Sequence, residues 1–438
     1  MTSPGAAPTL SKPRHVFVEV TNTLAVNYIT GFQRLTRELL TRLPGRDDAA
    51  AVRFVPVVWC GVCDAFRHLS ESEARRLASF SPPPPAPTPL ARLEEVLPRP
   101  LARAMGSVLR TRAGISVRAA LARAWRRRRH PGSHGQLRIE RWPDDSWFVD
   151  LEAAWHDVPH RSVLLPRLRS EGVRPATLVA DVIPTQFPQW FDDAQIRLFT
   201  TFIEAHLRYS ERFVCISRCS ERDVNELAER LGVPTPLDTA VITMGANFQP
   251  APEDLPRPPQ APPGRYLLNV GTVEPRKNHD LLIRAFDLLA GGYPDLSVCF
   301  VGKAGWMTEE LQERLRNHPM APDRFRWLDD VDDRLLDSLY RHAFLAVQPA
   351  YYEGYGTPVI EALANGVPTL ASTGGALPEA GGSFAELFGP DDLDALVSLI
   401  ARHLDDPDHH GAARAALVDY RPPTWEQGAA GLLEAFSH

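Results

Sequence analysis

The sequence predicts two α/β domains, each a mostly parallel sheet with helices on both faces. Three observations carry this. Short apolar, β-branched runs recur along the chain, helix-patterned segments lie between most of them, and the rhythm stops at a proline-rich stretch and then restarts. A length of 438 residues agrees, since about 150 residues per domain suggests two or three domains.

The first run, HVFVEV (15–20), reads as a strand, and Phe32, Leu35, Leu39 and Leu43 after Thr30 read as an amphipathic helix. Further strands are expected at AVRFVPVVWC (51–60), SWFVD (146–150), ATLVA (176–180), RFVCIS (212–217) and TAVITM (239–244). Sheets of this kind present ligands at the carboxyl ends of their strands. QPAPEDLPRPPQAPPG (249–264) holds seven prolines in sixteen residues and reads as a stiff linker. Beyond it come RYLLNVG (265–271), a helix over 277–290, LSVCFVG (296–302), a helix near 306–317, RFRWL (324–328) and a helix over 335–342. FLAVQP (344–349), a helix after Pro358 and VPTLAS (367–372) continue the pattern, and TWEQGAAGLLEAFSH (424–438) is a terminal helix. The expected division is a first domain over 1–250, a linker over 251–264, a second domain over 265–422 and a helix over 423–438 that packs back on the first domain.

Within the first domain an insert at about 81–140 differs from the rest. It opens on PPPPAPTP (82–89), and from 96 to 139 it has many arginines and no acid. The bland reading is a solvated loop or a helix covering the sheet; the functional reading is attraction to an anionic membrane or an anionic acceptor. Net charge is −6, with 48 Lys and Arg against 54 Asp and Glu, so there is no global basic field for nucleic acid. No apolar stretch reaches the ~20 residues that span a bilayer, and the first fifteen residues lack a signal pattern, which predicts a cytoplasmic location. Five cysteines make no disulfide framework. Cys60 and Cys63 with Cys215 and Cys219 are a weak zinc candidate; free thiols at strand ends are the simpler reading.

Two constellations carry chemistry. In YYEGYGTPVIEALANGVPTLAS (351–372), a glycine-punctuated loop runs from a strand into a helix, with Thr357 as the expected cap and Pro358 at the first helical position. Gly354 and Gly356 would let backbone N–H groups approach a phosphate or sugar oxygen at a helix N-terminus. Glu353 on the loop and Glu361, placed in the first helical turn, flank it. Each also has a structural reading, as a carboxylate capping backbone donors or as an acid favouring the helix dipole.

In LLNVGTVEPRKNHDLLIRAF (267–286), a strand ends at Gly271 and Thr272, and Arg276 and Lys277 stand at the expected helix start. Two cations oppose the dipole there, which predicts an anionic partner: a diphosphate, or a salt bridge to Glu274 or Asp280.

EPRKN (274–278), VGKAGW (301–306) and the E-x7-E of EGYGTPVIE (353–361), in that order and spacing, resemble the retaining glycosyltransferases of family 4 (group 1). The likeness is specific over about 265–390. It is thinner in ITGFQRLTREL (29–39), ADVIPTQFP (180–188) and CISRCSERDV (215–224). The resemblance implies a GT-B fold, two Rossmann-like α/β domains facing each other across a cleft, with the nucleotide-sugar donor on the second and the acceptor on the first.

Carried over residue by residue, Arg276 and Lys277 hold the donor diphosphate, Glu361 accepts from the ribose and Glu353 lies by the sugar. Backbone N–H groups of Tyr355, Gly356 and Thr357 hold oxygens, with Gly271 and Thr272 beside them, and Val331 lies near the base. Asp181 faces the reacting sugar or the acceptor, or else caps the turn before Pro184. Gly31, Gln33, Arg34 and His156, together with Asn22, Asn27 and Tyr28, are weaker acceptor-side candidates. The family needs no obligatory metal and no cofactor beyond its donor. Two departures stand out: many members have His where this chain has Ala180, and Leu where it has Thr357.

The expected activity is retaining transfer of a hexose from a nucleoside-diphosphate sugar to a hydroxyl of a glycan or lipid-linked glycan, in cell-surface polysaccharide or glycoconjugate biosynthesis. Peripheral contact with an anionic membrane and no nucleic-acid partner go with it. The alternatives are a nucleotide-sugar epimerase of the same fold and a non-catalytic nucleotide-sugar or scaffold binding protein.

Overall fold

The structure is a computed structural model, and it describes residues 14–26, 31–43, 51–61, 63–79, 137–156, 159–246 and 256–438. Most of the Arg/Pro-rich insert, part of the proline-rich linker, and Asn27 and Tyr28 lie outside the described residues. The chain divides into two compact units, residues 1–177 with 436–438, and residues 178–435.

In the first unit β1 (Arg14–Glu19), β2 (Val52–Cys60), β3 (Ala65–His68), β4 (Trp147–Asp150) and the first four residues of β5 (Arg174–Val179) form a sheet of order β3-β2-β1-β4-β5. Pairing is parallel except for the β2–β3 hairpin. β3 was not expected, because four residues following a turn give too little alternation to read as a strand. Helices α1 (Thr21–Ala25), α2 (Gly31–Arg42), α3 (Glu71–Ala78) and α4 (Arg161–Ser170) complete the unit. Ser70 and Glu73 form a capping box at the start of α3. The order reverses between β1 and β4. At that point Arg161 donates to both oxygens of Asp150, at 2.8 and 2.6 Å, and to Glu19 at 3.2 Å, all three side chains being buried. Phe436 closes the core from the far end of the chain, its ring edge-on to Trp147 at 5.2 Å, and Arg14 donates to the carbonyls of Phe436 and His438 at 2.8 Å each.

The second unit begins inside β5, where the Val179 carbonyl accepts from the N–H of Ile216 at 3.3 Å. β6 (Arg212–Cys215) pairs in parallel with β7 (Thr239–Val241), and α5 (Ile183–Gln186), α6 (Asp193–Tyr209) and α7 (Arg218–Arg230) accompany them. A six-stranded parallel sheet follows, of order β10-β9-β8-β11-β12-β13. Its strands are β8 (Arg265–Val270), β9 (Leu296–Val301), β10 (Phe325–Leu328), β11 (Leu345–Gln348), β12 (Thr369–Ser372) and β13 (Ala385–Phe388).

The helices of this part are α8 (His279–Leu289), α9 (Glu309–Arg316), α10 (Asp333–Arg341), α11 (Thr357–Ala364), α12 (Leu377–Gly381), α13 (Leu393–Asp405), α14 (Pro407–Ala416) and α15 (Trp425–Ala435). Each central strand is apolar on both faces: β9 is buried throughout, with Phe300, Leu296 and Val298 packed among Phe286, Phe325 and Leu282. Among the described residues no helix is long and apolar enough to cross a membrane.

β8 leads to β9 and β10 on one side, and β11 leads to β12 and β13 on the other. The order therefore switches between β8 and β11, and the loops leaving those two strands open a crevice at their carboxyl ends. They are the two loops singled out in the sequence. Gly302, just past β9, lets that strand end lie close against the first of them: a Cβ there would lie 2.0 Å from the Gly271 carbonyl oxygen. Gly302→Ala is expected to destabilise the unit by about 1–3 kcal/mol. Gly291→Ala, where a Cβ meets nothing within 4 Å, should stay within about 0.5 kcal/mol. Denaturant unfolding of the pair checks this, and equal stabilities would refute it.

Candidate active site

The loop after β8 does not run straight into a helix. Residues Pro275–Lys277 make a single 3-10 turn, Asn278 adopts a left-handed conformation with φ 53°, and α8 begins only at His279. Arg276 and Lys277 therefore precede the helix rather than occupying its first turn, which removes the expected conflict with its dipole. Asn278 suits the turn because its short amide tolerates positive φ. Its Nδ2 donates to the carbonyls of Pro349 and Pro390 at 3.1 and 2.7 Å, tying this loop to the ends of β11 and β13. The Arg276 carbonyl accepts from the N–H of Tyr351 at 2.8 Å, so the two loops are also joined through backbone.

The cations are paired. Arg276 donates to Glu353 Oε2 at 2.7 Å, and its other terminal nitrogen meets Glu274 Oε1 at 2.7 Å. Lys277 donates to Glu353 Oε1 in a short contact. The expected salt bridge to Glu274 is thus present, while Asp280 pairs with Arg314 instead. Glu353 is buried and bridges both cations; it is not a backbone cap. Burial pushes its carboxyl up, but Arg276 and Lys277 together outweigh burial and hold it at about 2. Glu274 and Asp181 go the other way, both raised by burial, which Arg276 and Lys277 only partly offset at Glu274 and which Arg276 and the Ile183 N–H only partly offset at Asp181. His279, directly below, is pushed down to about 3 by burial and by Lys277, so its ring is neutral.

The loop after β11 is clamped from the other side. Gly354 lies where a Cβ would come within 2.4 Å of the Ala180 carbonyl oxygen and 2.9 Å of Asp181 Cβ. Its carbonyl accepts from Ser217 at 2.7 Å and Ser220 at 3.1 Å, and Ser220 also lies 2.6 Å from the Ala180 carbonyl. This close approach, not a positive φ, is what requires glycine at 354. Gly356 is the residue with φ 95°, and it is the cap of α11. Thr357 and Pro358 are the first and second helical residues, so the expectation of Thr357 as cap is corrected. No side chain caps α11; Pro358 has no N–H and the N–H of Val359 bonds the Gly356 carbonyl at 2.9 Å, which leaves the Thr357 N–H at the positive end of the helix.

Glu361 lies in the second turn rather than the first. There its buried Oε2 accepts from the Tyr340 hydroxyl at 3.2 Å, which excludes the reading as a first-turn acid. Tyr355 turns aside, its hydroxyl bonding the N–H and carbonyl of Met244 at 2.8 and 2.6 Å, so only its backbone faces the crevice.

Asp181, half-buried, accepts from the N–H of Ile183 at 3.1 Å and so caps the turn before Pro184. Its charge is also felt by Arg276 and Glu353, so both readings of this residue describe one place. Gly271 and Thr272 follow β8, with the Lys277 stem 3.6 Å from where a Gly271 Cβ would be. Val331, after β10, packs partly buried against the core. Arg276, Lys277, Glu353, Asp181, Gly271 and Gly356 thus belong to one unit. Gly31, Gln33, Arg34 and His156 belong to the other: Gly31 begins α2, Gln33 is buried and bonds Asn22 at 3.2 Å, Arg34 is half-buried and His156 is exposed.

Sequence reasoning missed Asp223, which accepts from the Tyr352 hydroxyl at 2.7 Å, and the roles of Asn278 and Tyr340. Only the Ser-bearing segment 215–224 had signalled Ser217 and Ser220. The four cysteines form no metal-holding group among the described residues.

Residues 252–419 match the family model described as glycosyl transferases group 1. The serotype-specific mannosyltransferase WbdA of Escherichia coli is 25% identical over 315 residues, covering 69% of this chain and 38% of that protein. The O-antigen chain mannosyltransferase B of Escherichia coli is 33% identical over 176 residues, 39% of this chain and 45% of that protein. The chain thus spans less than half the length of either relative. Sucrose-phosphate synthase from Thermosynechococcus elongatus superposes with a TM-score of 0.52 at 18% identity, covering 97% of this chain and 96% of that one. The N-terminal domain of trehalose-6-phosphate phosphatase from Candida albicans gives 0.57 at 11%, covering 99% and 98%. Over residues 252–419 the chain is similar to the group 1 glycosyl transferases, and its two parallel-sheet α/β parts have the GT-B fold.

Proposed function

We propose that this protein is a retaining glycosyltransferase that moves a hexose from a nucleoside-diphosphate sugar to an acceptor hydroxyl during polysaccharide assembly. The observation that carries the reading is the buried Arg276–Glu353–Lys277 cluster beside an uncapped helix N-terminus at the switch point of a parallel sheet. Mannose is the first sugar to test, since two similar Escherichia coli proteins are named mannosyltransferases.

In this reading the diphosphate takes the guanidinium fork of Arg276 and the ammonium of Lys277, which carry the negative charge that develops as the glycosidic oxygen leaves. N–H groups of 355–357 hold sugar and phosphate oxygens, and Glu361, oriented by Tyr340, accepts from the ribose. The bond from the anomeric carbon to phosphate oxygen breaks, and the bond to the acceptor oxygen forms on the same face. The acceptor proton passes to the departing phosphate, so no protein nucleophile is required. Asp181 and Glu353 stabilise positive charge on the sugar ring. The acceptor is a glycan or lipid-linked glycan, and the arginine-rich, acid-free sequence of 96–139 favours contact with an anionic membrane.

Two outcomes test this. Nucleoside diphosphates should raise the unfolding temperature of the wild type, and Lys277→Ala should weaken that binding about 10–100-fold, the loss of one charge-assisted contact. Arg276→Lys, which keeps the charge but loses the fork, should lower kcat about 100–1,000-fold. No response to any nucleotide would defeat the reading.

The second outcome is a pH dependence. Glu353, held near 2 against an ordinary 4.5, contributes stability that is present above about pH 4.5 and lost as pH falls toward 2. Asp181 is raised, so activity that needs its carboxylate falls on acidification at a pH above the ordinary aspartate range. Asp181→Asn should remove that acid limb from the kcat/KM profile and lower the plateau. An unchanged limb would show that Asp181 only caps its turn.

A further inference from the structure

At the edge of the six-stranded sheet, away from the switch point, three side chains converge that the proposed reaction does not use. Glu386 lies on β13, His403 in the last turn of α13 and His409 in the first turn of α14. Glu386 Oε1 is 2.8 Å from His403 Nε2 and 3.1 Å from His409 Nε2, and one ligand atom from each residue lies within 4.8 Å of the others. We infer that Glu386, His403 and His409 form a binding site for a divalent transition-metal ion of the zinc class.

The donor set is the first reason. Two imidazole nitrogens and one carboxylate oxygen suit zinc and its neighbours, whereas calcium and magnesium prefer oxygen alone. The distances are the second. An ion about 2.1 Å from each donor in a tetrahedral arrangement separates the donors by about 3.4 Å, so the contacts at 2.8 and 3.1 Å need open by only a few tenths of an ångström.

Beyond the three ligands, the surrounding contacts are built as a metal-binding histidine needs them. His403 is buried, and its other ring nitrogen, Nδ1, lies 3.2 Å from His410 Nδ1. With Nε2 on an ion, His403 carries its proton on Nδ1 and donates it to His410, an outer contact that fixes the tautomer and the ring plane. His410 is held in place for this contact by stacking on Phe344, with ring centroids 4.1 Å apart.

Asp406 caps α14 and accepts from the N–H of His409 at 2.9 Å, which sets where that imidazole stands. Arg402 approaches the other oxygen, Glu386 Oε2, at 3.9 Å, leaving Oε1 to the ion. His409 and Glu386 are partly exposed, so an ion can reach the site and solvent can fill a fourth position. A bound ion would pin the edge strand β13 to both helices that follow it.

Calorimetric titration of the untagged, chelator-treated chain with zinc near neutral pH tests the site, with the unfolding temperature followed alongside. One equivalent should bind, and the unfolding temperature should rise until that equivalent is reached. His409→Ala and Glu386→Gln should each weaken binding at least ~10-fold and abolish the rise, while His410→Ala should keep the stoichiometry and lose about 10–100-fold in affinity. Magnesium should give no rise. Absence of saturable zinc binding would overturn the proposal, as would undiminished binding in both His409→Ala and Glu386→Gln, or an equal response to magnesium.

Discussion

The second unit is organised around one carboxylate. Glu353 is buried and shared by Arg276 and Lys277, with Glu274 on the far side of the same guanidinium. Removing such ions from water costs several kcal/mol apiece, and only mutual pairing in good geometry offsets it. The loops after β8 and β11 are therefore not independent: the first holds two cations that stay buried only while the second presents an acid to them. Backbone reinforces the same union through the Tyr351 N–H on the Arg276 carbonyl and the Asn278 amide on Pro349.

The same cluster sets how the site can respond to an anion. Two cations face Glu353, Glu274 and Asp181, and the last two have carboxyls raised by burial. Under the proposed function, a diphosphate arriving between the cations would compete with Glu353 for them, and the displaced negative charge would fall near groups whose burial already favours the protonated form. The arrangement is poised between an internal salt bridge and an external one. A donor site of the proposed kind would have to bind and then release a charged product, and uniformly tight binding would not speed that reaction. Gly354 and Gly356 serve this end differently. One lets the loop lie close against Ala180, and the other, at φ 95°, turns it into α11.

Much of this was legible in the sequence, because strands buried on both faces show as apolar runs and because the residues around the switch point are adjacent in the chain. EPRKN and EGYGTP marked the two loops and the charged residues on them, but not that Arg276 and Lys277 pair with Glu353 from one loop to the other. What was misread turns on single backbone conformations. Asn278 in the left-handed region starts α8 two residues late, and Gly356 takes the cap expected of Thr357, which moves Glu361 into the second turn. Periodicity does not register a one-residue change of this kind. What was invisible depends on partners far apart in sequence: Ser217 on the Gly354 carbonyl, Asp223 on Tyr352, and Glu386 gathered with His403 and His409 by the turn between two helices.

The six-stranded sheet also separates two demands on its residues. Its centre, between β8 and β11, holds paired ions and glycine-dependent turns, features that lower stability unless the surroundings over-determine them. Its edge, β13, is short, half-exposed and paired on one side only, and an open edge of that kind must be covered. α13 and α14 meet there with a buried imidazole set on Glu386. Because Pro390, just past β13, accepts from Asn278 in the first loop, firmness at the edge carries to the backbone that positions Arg276 and Lys277. The loop that carries the paired cations is thus held at its base by parts of the fold outside the ion cluster.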